Sequence, residues 1–225
     1  MNYIENVNFS YSTSQDGQRF IDNKLEIIHI VDFDEGSLCQ FIDGCHAALN
    51  SGAEYLPIEV DSYGGEVDAL NGMLSYIDDF KNRGIKVITF CATKAMSCGS
   101  VLLSAGTKGY RFMSPRAHLM IHEVSGADFG KLADMKSSVR HQDQLNKELF
   151  DQLDINAGKE SGYFEALCKQ NKNADLYLTA EQCLAHGLVD FIGIPSLVLT
   201  VKPQYELIFP KELNKKNEYK EVKVS

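Results

Sequence analysis

A serine and a histidine in this chain have the residue types and local surroundings that acyl transfer requires. Ser97 lies among small residues, in the segment Ala-Met-Ser-Cys-Gly-Ser of residues 95–100, and His122 ends the apolar run Leu-Met-Ile-His of residues 119–122. A serine hydroxyl attacks a carbonyl carbon when a neighbouring base takes its proton, and histidine is the usual base. We therefore expect a nucleophile at Ser97 and a general base at His122, with His118 on the same strand face as the competing base.

Backbone N–H groups near Ser97 could stabilise the oxyanion that acyl transfer creates. Gly64 and Gly65 follow an apolar run, and glycine adopts backbone angles that let an N–H approach a substrate carbonyl closely. The N–H of Cys98 would lie at the positive end of a helix that opens after Ser97. Simpler explanations exist for both features: a plain turn at the two glycines and an N-cap at Ser97. No G-x-G-x-x-G or G-x-x-x-x-G-K-[ST] pattern occurs, which argues against a nucleotide-binding loop.

The composition predicts a soluble protein with one sizeable core. Of the 225 residues, 44% are hydrophobic, and the formal net charge of −9 argues against a nucleic-acid partner. The six cysteines form neither a C-x-x-C pair nor a cluster at metal-ligand spacing, so we expect reduced thiols and no metal. Without a signal-peptide pattern or a long apolar segment, we expect a cytoplasmic protein that makes no membrane contact.

Strand-like and helix-like patterns alternate in the elements that must position the serine, the histidine and the glycines. Apolar, strand-like runs occupy residues 25–31, 56–60 and 85–91, and helical patterns occupy residues 34–50, 67–82 and 97–105. This alternation indicates an α/β fold with a mainly parallel sheet. Functional residues of such folds gather in the loops at strand ends.

A long helix with a narrow apolar stripe is predicted from residue 131 to about residue 157. A helix of this length either projects to pack against another subunit or lies along the surface of its own domain. The polar Gln142 within the stripe argues against a pure coiled coil.

The two ends of the chain differ from its centre. Residues 1–23 are polar and rich in Ser, Asn and Gln, which predicts a flexible N-terminal arm. Residues 24–194 carry the strand and helix patterns and form the predicted domain. Residues 195–225 form a C-terminal extension that ends in a charged tail.

Five short motifs follow one another in a fixed order along the chain. They are Asp-Ser-Tyr-Gly-Gly at 61–65, Ala-Met-Ser-Cys-Gly at 95–99, Met-Ile-His at 120–122, Leu-Thr-Ala at 178–180 and Gly-Leu-Val-Asp at 187–190. Their order and spacing resemble those of ClpP, the proteolytic subunit of Clp proteases, over roughly residues 25–192. The resemblance implies an α/β fold of the ClpP/crotonase type: a spiral of β-β-α units with a mainly parallel sheet and a long protruding helix.

The resemblance also implies an activity, that of a serine endopeptidase which needs no cofactor. Ser97 would be the nucleophile, His122 the general base, and the N–H groups of Gly65 and Cys98 the oxyanion hole. The positions that would bind the peptide substrate are Gly64, Glu66, Val67, Val124 and Ser125.

The third catalytic residue departs from the family pattern. The aspartate of the family falls on Asn171 in this chain. An asparagine can orient the imidazole of His122 but cannot offset its positive charge, and the same replacement in a serine protease lowers turnover about 10⁴-fold. Asp175 is the nearest carboxylate, so the third residue is Asn171, Asp175 or neither. Tyr63 is a second departure, since the family has proline there.

The assembly implied by the resemblance is two stacked heptameric rings that enclose a chamber for polypeptide substrates. An AAA+ unfoldase would feed this homo-oligomer. Because the family uses its N-terminal segment to contact the unfoldase, the divergence of residues 1–23 leaves the identity of that partner open.

Two other functions compete with proteolysis. The departure at Asn171 allows a catalytically impaired subunit with a structural or regulatory role in a mixed ring. The crotonase superfamily shares the fold and the backbone oxyanion hole, which allows an acyl-CoA enzyme. The presence of both Ser97 and His122 favours proteolysis.

Overall fold

A computed structural model describes most of the central part of the chain. Side chains are described in residues 27–126, 129–172 and 174–195, and the backbone of short strands also in residues 11–13, 19–21, 212–213 and 219–220. The rest of the predicted arm, 1–23, and of the predicted extension, 195–225, lies outside these residues. The borders of the predicted domain, 24–194, therefore stay a prediction.

Strands and helices alternate through the centre of the chain. In chain order the strands are β1 (Tyr11–Thr13), β2 (Arg19–Ile21), β3 (Ile28–Ile30), β4 (Tyr55–Val60), β5 (Lys86–Cys91), β6 (Lys94–Met96), β7 (Arg111–Met113), β8 (His118–Ile121), β9 (Leu176–Thr179), β10 (Phe191–Ile192), β11 (Glu212–Leu213) and β12 (Tyr219–Lys220). The helices are α1 (Glu35–Asn50), α2 (Val67–Asn82), α3 (Cys98–Ser104), α4 (Leu132–Ala157), α5 (Tyr163–Gln170) and α6 (Ala180–His186).

The main sheet has its five strands parallel, in the spatial order β10, β7, β5, β4 and β3. Buried apolar side chains run almost without a break along β4 and β5, among them Ile58 and Val87. Such continuous burial is typical of a parallel sheet that is covered on both faces. This sheet and its helices confirm the α/β, mainly parallel architecture that the sequence predicted.

A second, three-stranded sheet positions the predicted nucleophile and base. In this sheet β6 and β8 are parallel neighbours, with Met96 opposite Met120, and β9 pairs antiparallel with β8. Ser97 directly follows β6 and His122 directly follows β8. Because β6 and β8 are parallel and in register, Ser97 and His122 both lie at the carboxyl ends of these neighbouring strands.

Helix caps fix where two of the helices start. The carboxylate of Asp34 accepts a hydrogen bond from the N–H of Ser37 at 2.7 Å and caps α1. Thr179 and Gln182 form a capping box at the start of α6, which Gly187 ends in the left-handed conformation.

Helix α4 projects from the core along its first half. Its 26 residues span about 39 Å at 1.5 Å per residue. The buried side chains all belong to its last two turns, for example Phe150 and Leu153, whereas Leu132 and Val139 are exposed. The predicted protruding helix is therefore present. Among the helices described, α4 included, none is both long and apolar enough to cross a membrane.

A buried ion pair ties the last motif of the chain to the main sheet. Arg111 on β7 is 2% exposed, and its Nη2 and Nε lie 2.6 and 2.8 Å from the two carboxylate oxygens of Asp190. The guanidinium also donates to the carbonyls of Asn156 on α4 and Ser104 on α3. Burial alone would raise the pKa of Asp190, but the hydrogen bonds and charge of Arg111 lower it below its usual value.

Two short strand pairs are described by their backbone. Strands β1 and β2 are antiparallel, with Ser12 opposite Phe20. Strands β11 and β12 are also antiparallel, with Glu212 opposite Lys220, and belong to a unit separate from Val7–Leu197.

Candidate active site

Ser97 and His122 are in direct contact. The Nε2 atom of His122 lies 2.8 Å from Ser97 Oγ. The N–H of Ser97 donates to the carbonyl of Met120 at 2.9 Å, which locks the end of β6 to the end of β8. A ring nitrogen at this distance can take the proton of the hydroxyl as the oxygen attacks a carbonyl carbon. His118, the competing base, opens β8 with an exposed side chain, and the hydrogen bonds of the described residues do not join it to Ser97.

The backbone of Ser97 adopts a strained conformation at the turn from β6 to α3. Its φ of 53° and ψ of −121° lie in a region that non-glycine residues rarely adopt, at a cost of about 1–3 kcal/mol. The carbonyl of Ser97 is held by the N–H and the hydroxyl of Ser100, at 2.9 and 2.7 Å. Ser97 is the N-cap residue of α3, but its hydroxyl makes no capping hydrogen bond to the helix. Capping therefore does not compete with the contact between this hydroxyl and His122. This sharp turn presents Oγ to His122, as in a nucleophile elbow.

The two glycines lie against the nucleophile and against the loop after β3. Gly64 has a φ of 107°, and a Cβ atom placed on it would come within 2.6 Å of Ser97 Cβ. Gly65 has a φ of 152°, and a Cβ atom there would come within 2.5 Å of the Phe33 carbonyl oxygen. Both positions therefore need glycine for conformation and for space. The N–H of Gly64 is bound by the hydroxyl of the buried Ser62 at 3.0 Å.

Two backbone donors remain available beside Ser97. Cys98 is the first residue of α3, so its N–H has no acceptor within the helix. Within the described chain, no hydrogen bond occupies the N–H of Gly65 either, whereas the next N–H, that of Glu66, donates to Phe33. The thiol of Cys98 donates to the carbonyl of Gly65 at 3.3 Å and links the two segments. Burial raises the pKa of this thiol, which keeps its proton in place.

A cleft of about 670 Å³ opens over the serine–histidine pair. One side is formed by the segment from Tyr63 to Val67 and another by the segment from Met120 to Ser125. The predicted substrate-binding residues Glu66, Val67, Val124 and Ser125 all line it, and Gly64 contacts Ser97 beside it. The apolar side chains of the cleft also include Val101, Leu149, Phe150 and Leu153, and its carboxylates include Asp32 and Asp34.

The predicted third catalytic residue is not hydrogen-bonded to the histidine in the described part of the chain. Asn171 ends α5 and is exposed, and its Nδ2 donates to the carbonyls of Ala174 and Asp175 at 3.2 and 3.0 Å. In residues 27–126, 129–172 and 174–195, the hydrogen bonds of His122 involve Ser97 alone. Asn173 lies outside the described residues. The choice among Asn171, Asp175 and neither stays open.

Residues on α4 contribute to the site although the sequence did not identify them as site residues. The side-chain oxygen of Asn146 accepts a hydrogen bond from the N–H of Val124, and Gln142 lies so close to Gly126 that a Cβ there would meet its Nε2 at 2.6 Å. Asn146 and Gln142 are four residues apart, hence on one helix face. Of the two, only Gln142 stood out in the sequence, as a polar residue within the apolar stripe of the predicted helix.

Metal-ligand clusters are absent from the part of the chain with described side chains. No group of three or more His, Cys, Asp or Glu residues in that part could hold a metal ion.

Fold and site together define a class: an α/β protein whose strained serine, at a strand–helix turn, contacts a histidine beside two available backbone donors. The chain belongs to the Clp protease family, whose family model matches residues 46–195. This confirms the family that the five motifs indicated.

Relatives of this chain come from several bacteria. The chain is 34% identical over 137 residues to the ATP-dependent Clp protease proteolytic subunit of Porphyromonas gingivalis, which covers 61% of this chain and 59% of the relative. It is 34% identical over 135 residues to proteolytic subunit 2 of Chlamydia trachomatis serovar D, covering 60% and 63%. Subunit 1 of Chlamydia felis is 33% identical over 135 residues, with the same coverage. The chain thus matches about three fifths of the length of these curated relatives.

Proposed function

We propose that this protein is a serine endopeptidase of the ClpP type, which hydrolyses peptide bonds through an acyl-enzyme at Ser97. The observation that carries the proposal is the 2.8 Å contact between Ser97 Oγ and His122 Nε2 at a strained strand–helix turn. Family membership supports it, and the relatives are named as proteolytic subunits. The same membership favours proteolysis over the acyl-CoA chemistry of crotonases.

The proposed reaction has two halves. In the first, Ser97 Oγ bonds to the carbonyl carbon of the peptide while its proton passes to Nε2 of His122. The carbonyl electron pair moves onto oxygen, where the N–H groups of Gly65 and Cys98 bind the oxyanion. The intermediate collapses, the C–N bond breaks, and His122 protonates the departing amine. In the second half, His122 takes a proton from water, the water oxygen attacks the ester, and the carboxyl product leaves as Ser97 regains its proton.

The cleft supports a peptide bound in an extended conformation. The backbones of Gly65–Val67 and of the segment after His122 flank it, so a peptide between them could bond to both as an added strand. Apolar side chains such as Phe150 and Leu153 would receive the side chain next to the attacked carbonyl. The hydrogen bond from Val124 to Asn146 fixes one of the two flanking segments.

The third catalytic position belongs to the same proposal. We place Asn171 there, because its Nδ2 is bound to the carbonyls of Ala174 and Asp175, which leaves its Oδ1 as the atom able to accept from the His122 ring. Asp175 is the alternative. With either residue, the proposal requires a side-chain oxygen within hydrogen-bond distance of Nδ1 of His122.

Assembly and partners are also part of the proposal. We expect a homo-oligomeric ring that degrades polypeptides delivered by an AAA+ unfoldase, since the relatives are named as subunits of an ATP-dependent protease. The exposed apolar residues on the projecting half of α4, Leu132, Met135 and Val139, support contacts between subunits. The net charge of −9 argues against nucleic acid as a partner. The six free thiols support a reducing compartment such as the cytoplasm.

A fluorophosphonate probe tests the nucleophile. The purified protein should become labelled and should hydrolyse a fluorogenic peptide, and Ser97→Ala should lose both. Ser75→Ala is the matched control, because Ser75 is an exposed serine on α2 whose hydroxyl bonds within its own helix. Hydrolysis that survives Ser97→Ala would overturn the assignment.

A second candidate function is a catalytically impaired subunit that serves a ring structurally. The observation that favours it is the uncharged Asn171, which the resemblance places at the family's aspartate and whose hydrogen bonds, in the described part of the chain, go to Ala174 and Asp175 and not to His122. Absence of probe labelling in the assembled wild-type protein, with assembly itself intact, would select this function.

A further inference from the structure

Tyr63 is an exposed aromatic residue that lines the cleft beside the proposed nucleophile. Its side chain is 77% exposed, and it directly precedes the two glycines of the proposed oxyanion segment. A large apolar ring left open to solvent in a binding cleft is available to a substrate side chain. The proposed reaction assigns this ring no role.

A lysine holds the ring in place. The Nζ of Lys94 lies 4.6 Å from the centroid of the Tyr63 ring, which is a cation–π contact. Lys94 also forms an ion pair with Asp61, whose carboxylate accepts from the hydroxyl of Thr93 as well. The hydrogen bond to Asp61 raises the pKa of Lys94, so the cation persists.

Hydrogen bonds also hold the backbone next to Tyr63. The N–H of Ser62 donates to the carbonyl of Lys94 at 3.1 Å, and the N–H of Met96 donates to the carbonyl of Ser62 at 2.9 Å. The Tyr63 ring and Ser97 are therefore positioned by the same strand, β6, with two hydrogen bonds between the segments that carry them.

The ring lies at one end of the oxyanion segment. Ser62 is bridged to Ala95 in β6, whereas Gly65 is bridged to Phe33, after β3. Gly65, whose N–H marks the place of the attacked carbonyl, thus separates Tyr63 from Val67. A peptide bound along this segment therefore has the part on one side of the scissile bond near Tyr63 and the part on the other side near Val67.

The two halves meet different surroundings. The side chain next to the attacked carbonyl fits the apolar part of the cleft, with Val67 and the buried Leu153. The solvent-exposed Tyr63 ring is then available to the other part of the peptide, which leaves as the amine.

We propose that Tyr63 is a specificity-determining residue: its ring, held by Lys94, binds an aromatic or large apolar side chain on the leaving-group side of the scissile bond. This inference rests on the proposed peptidase function. It assigns the substrate class as peptides with a large apolar residue directly after the cleaved bond.

Two quenched fluorescent peptides test the proposal, identical except for Phe or Gly directly after the cleaved bond. The wild-type protein should prefer Phe in kcat/KM, and Tyr63→Ala should reduce that preference about threefold to tenfold. Tyr63→Phe should retain it, and Lys94→Met, which removes the cation but keeps an unbranched side chain one atom shorter, should weaken it in part. Tyr177→Ala, at an exposed tyrosine on β9 that does not line the cleft, should leave it unchanged.

Fluorophosphonate labelling separates the two possible failures, because the probe carries no peptide on its leaving-group side. Labelling of Ser97 should be the same in the wild-type protein, Tyr63→Ala and Lys94→Met. Intact labelling with an unchanged Phe preference in Tyr63→Ala would overturn the role of Tyr63 and leave the peptidase standing. A wild-type protein that neither labels nor cleaves would overturn the peptidase and this inference with it.

Discussion

Gly64 lies against Ser97 so closely that a Cβ atom on the glycine would come within 2.6 Å of the serine Cβ and 3.1 Å of its Oγ. The φ of 107° at Gly64 adds a conformational reason for glycine. The contact means that the segment of the proposed oxyanion hole and the proposed nucleophile hold each other in position.

Gly64→Ala should therefore displace Ser97 and lower kcat at least about a hundredfold, as misplacement of a reacting group by about 1 Å does. Peptide hydrolysis and urea unfolding are the measurements. Gly84→Ala is the matched control, because Gly84 also has a positive φ, 81°, but a Cβ atom placed on it would meet no other atom within 4 Å. It should cost about 1–2 kcal/mol of stability and leave kcat unchanged. Equal kcat in the two variants would contradict the role of the contact.

The thiol of Cys98 is predicted to position Gly65, whose own N–H is a proposed oxyanion donor. Cys98→Ala removes the 3.3 Å hydrogen bond to the Gly65 carbonyl and should lower kcat about threefold to tenfold with little change in KM, because the oxyanion forms only in the transition state. Cys98→Ser, which keeps a donor, should recover part of the loss. Cys45→Ala is the control: this thiol is fully buried on α1, so stability should fall while kcat is retained. A fall in kcat of the same size in Cys45→Ala would show a general packing effect.

The ion pair between Arg111 and Asp190 predicts a specific loss of stability in acid. The pKa of Asp190 is lowered in the folded protein, so the pair contributes stability above the unfolded value of about 4, and this contribution is lost as the pH falls through the lower folded value. Asp190→Asn leaves Arg111 buried with one partner removed and should cost about 3 kcal/mol at pH 7. The free energy of unfolding in urea, measured at pH 7 and near pH 3, checks both statements.

The control for this pair is Asp79→Asn. It breaks the exposed pair of Arg83 and Asp79, whose N–O distance is 2.8 Å, and should cost no more than about 0.5 kcal/mol. If Asp190→Asn shows the same acid sensitivity as the wild-type protein, the carboxylate of Asp190 is not its source.

Local signals predicted much of the fold and of the site. Alternating apolar runs indicated the main parallel sheet, and Thr179 and Gly187 marked the two ends of α6. Order and spacing of motifs predicted Ser97 and His122 as the candidate pair, although single-residue patterns left His118 in competition. That competition is resolved by the register between β6 and β8, which places His122, not His118, at the strand end beside Ser97.

The sequence did not predict the contacts between side chains on distant segments. The cation–π contact of Lys94 with Tyr63 and the hydrogen bond of Asn146 with Val124 join residues on separate elements. Neither pair has a periodicity or a motif, because each depends on how two elements pack. The uncertainty at Asn171 has the same origin, since its distance from His122 is set by the turn after α5.

The last prediction concerns that turn. Asn171→Asp should raise kcat at least about tenfold if residue 171 orients His122, because a carboxylate also offsets the imidazolium charge that an asparagine cannot. The same change replaces a donor by an acceptor facing the carbonyls of Ala174 and Asp175, so it should cost about 1–2 kcal/mol of stability. The pH profile of kcat and urea unfolding measure the two effects. Asp175→Asn decides between the candidates: it should leave kcat unchanged, and a loss there with no gain in Asn171→Asp would transfer the role to Asp175.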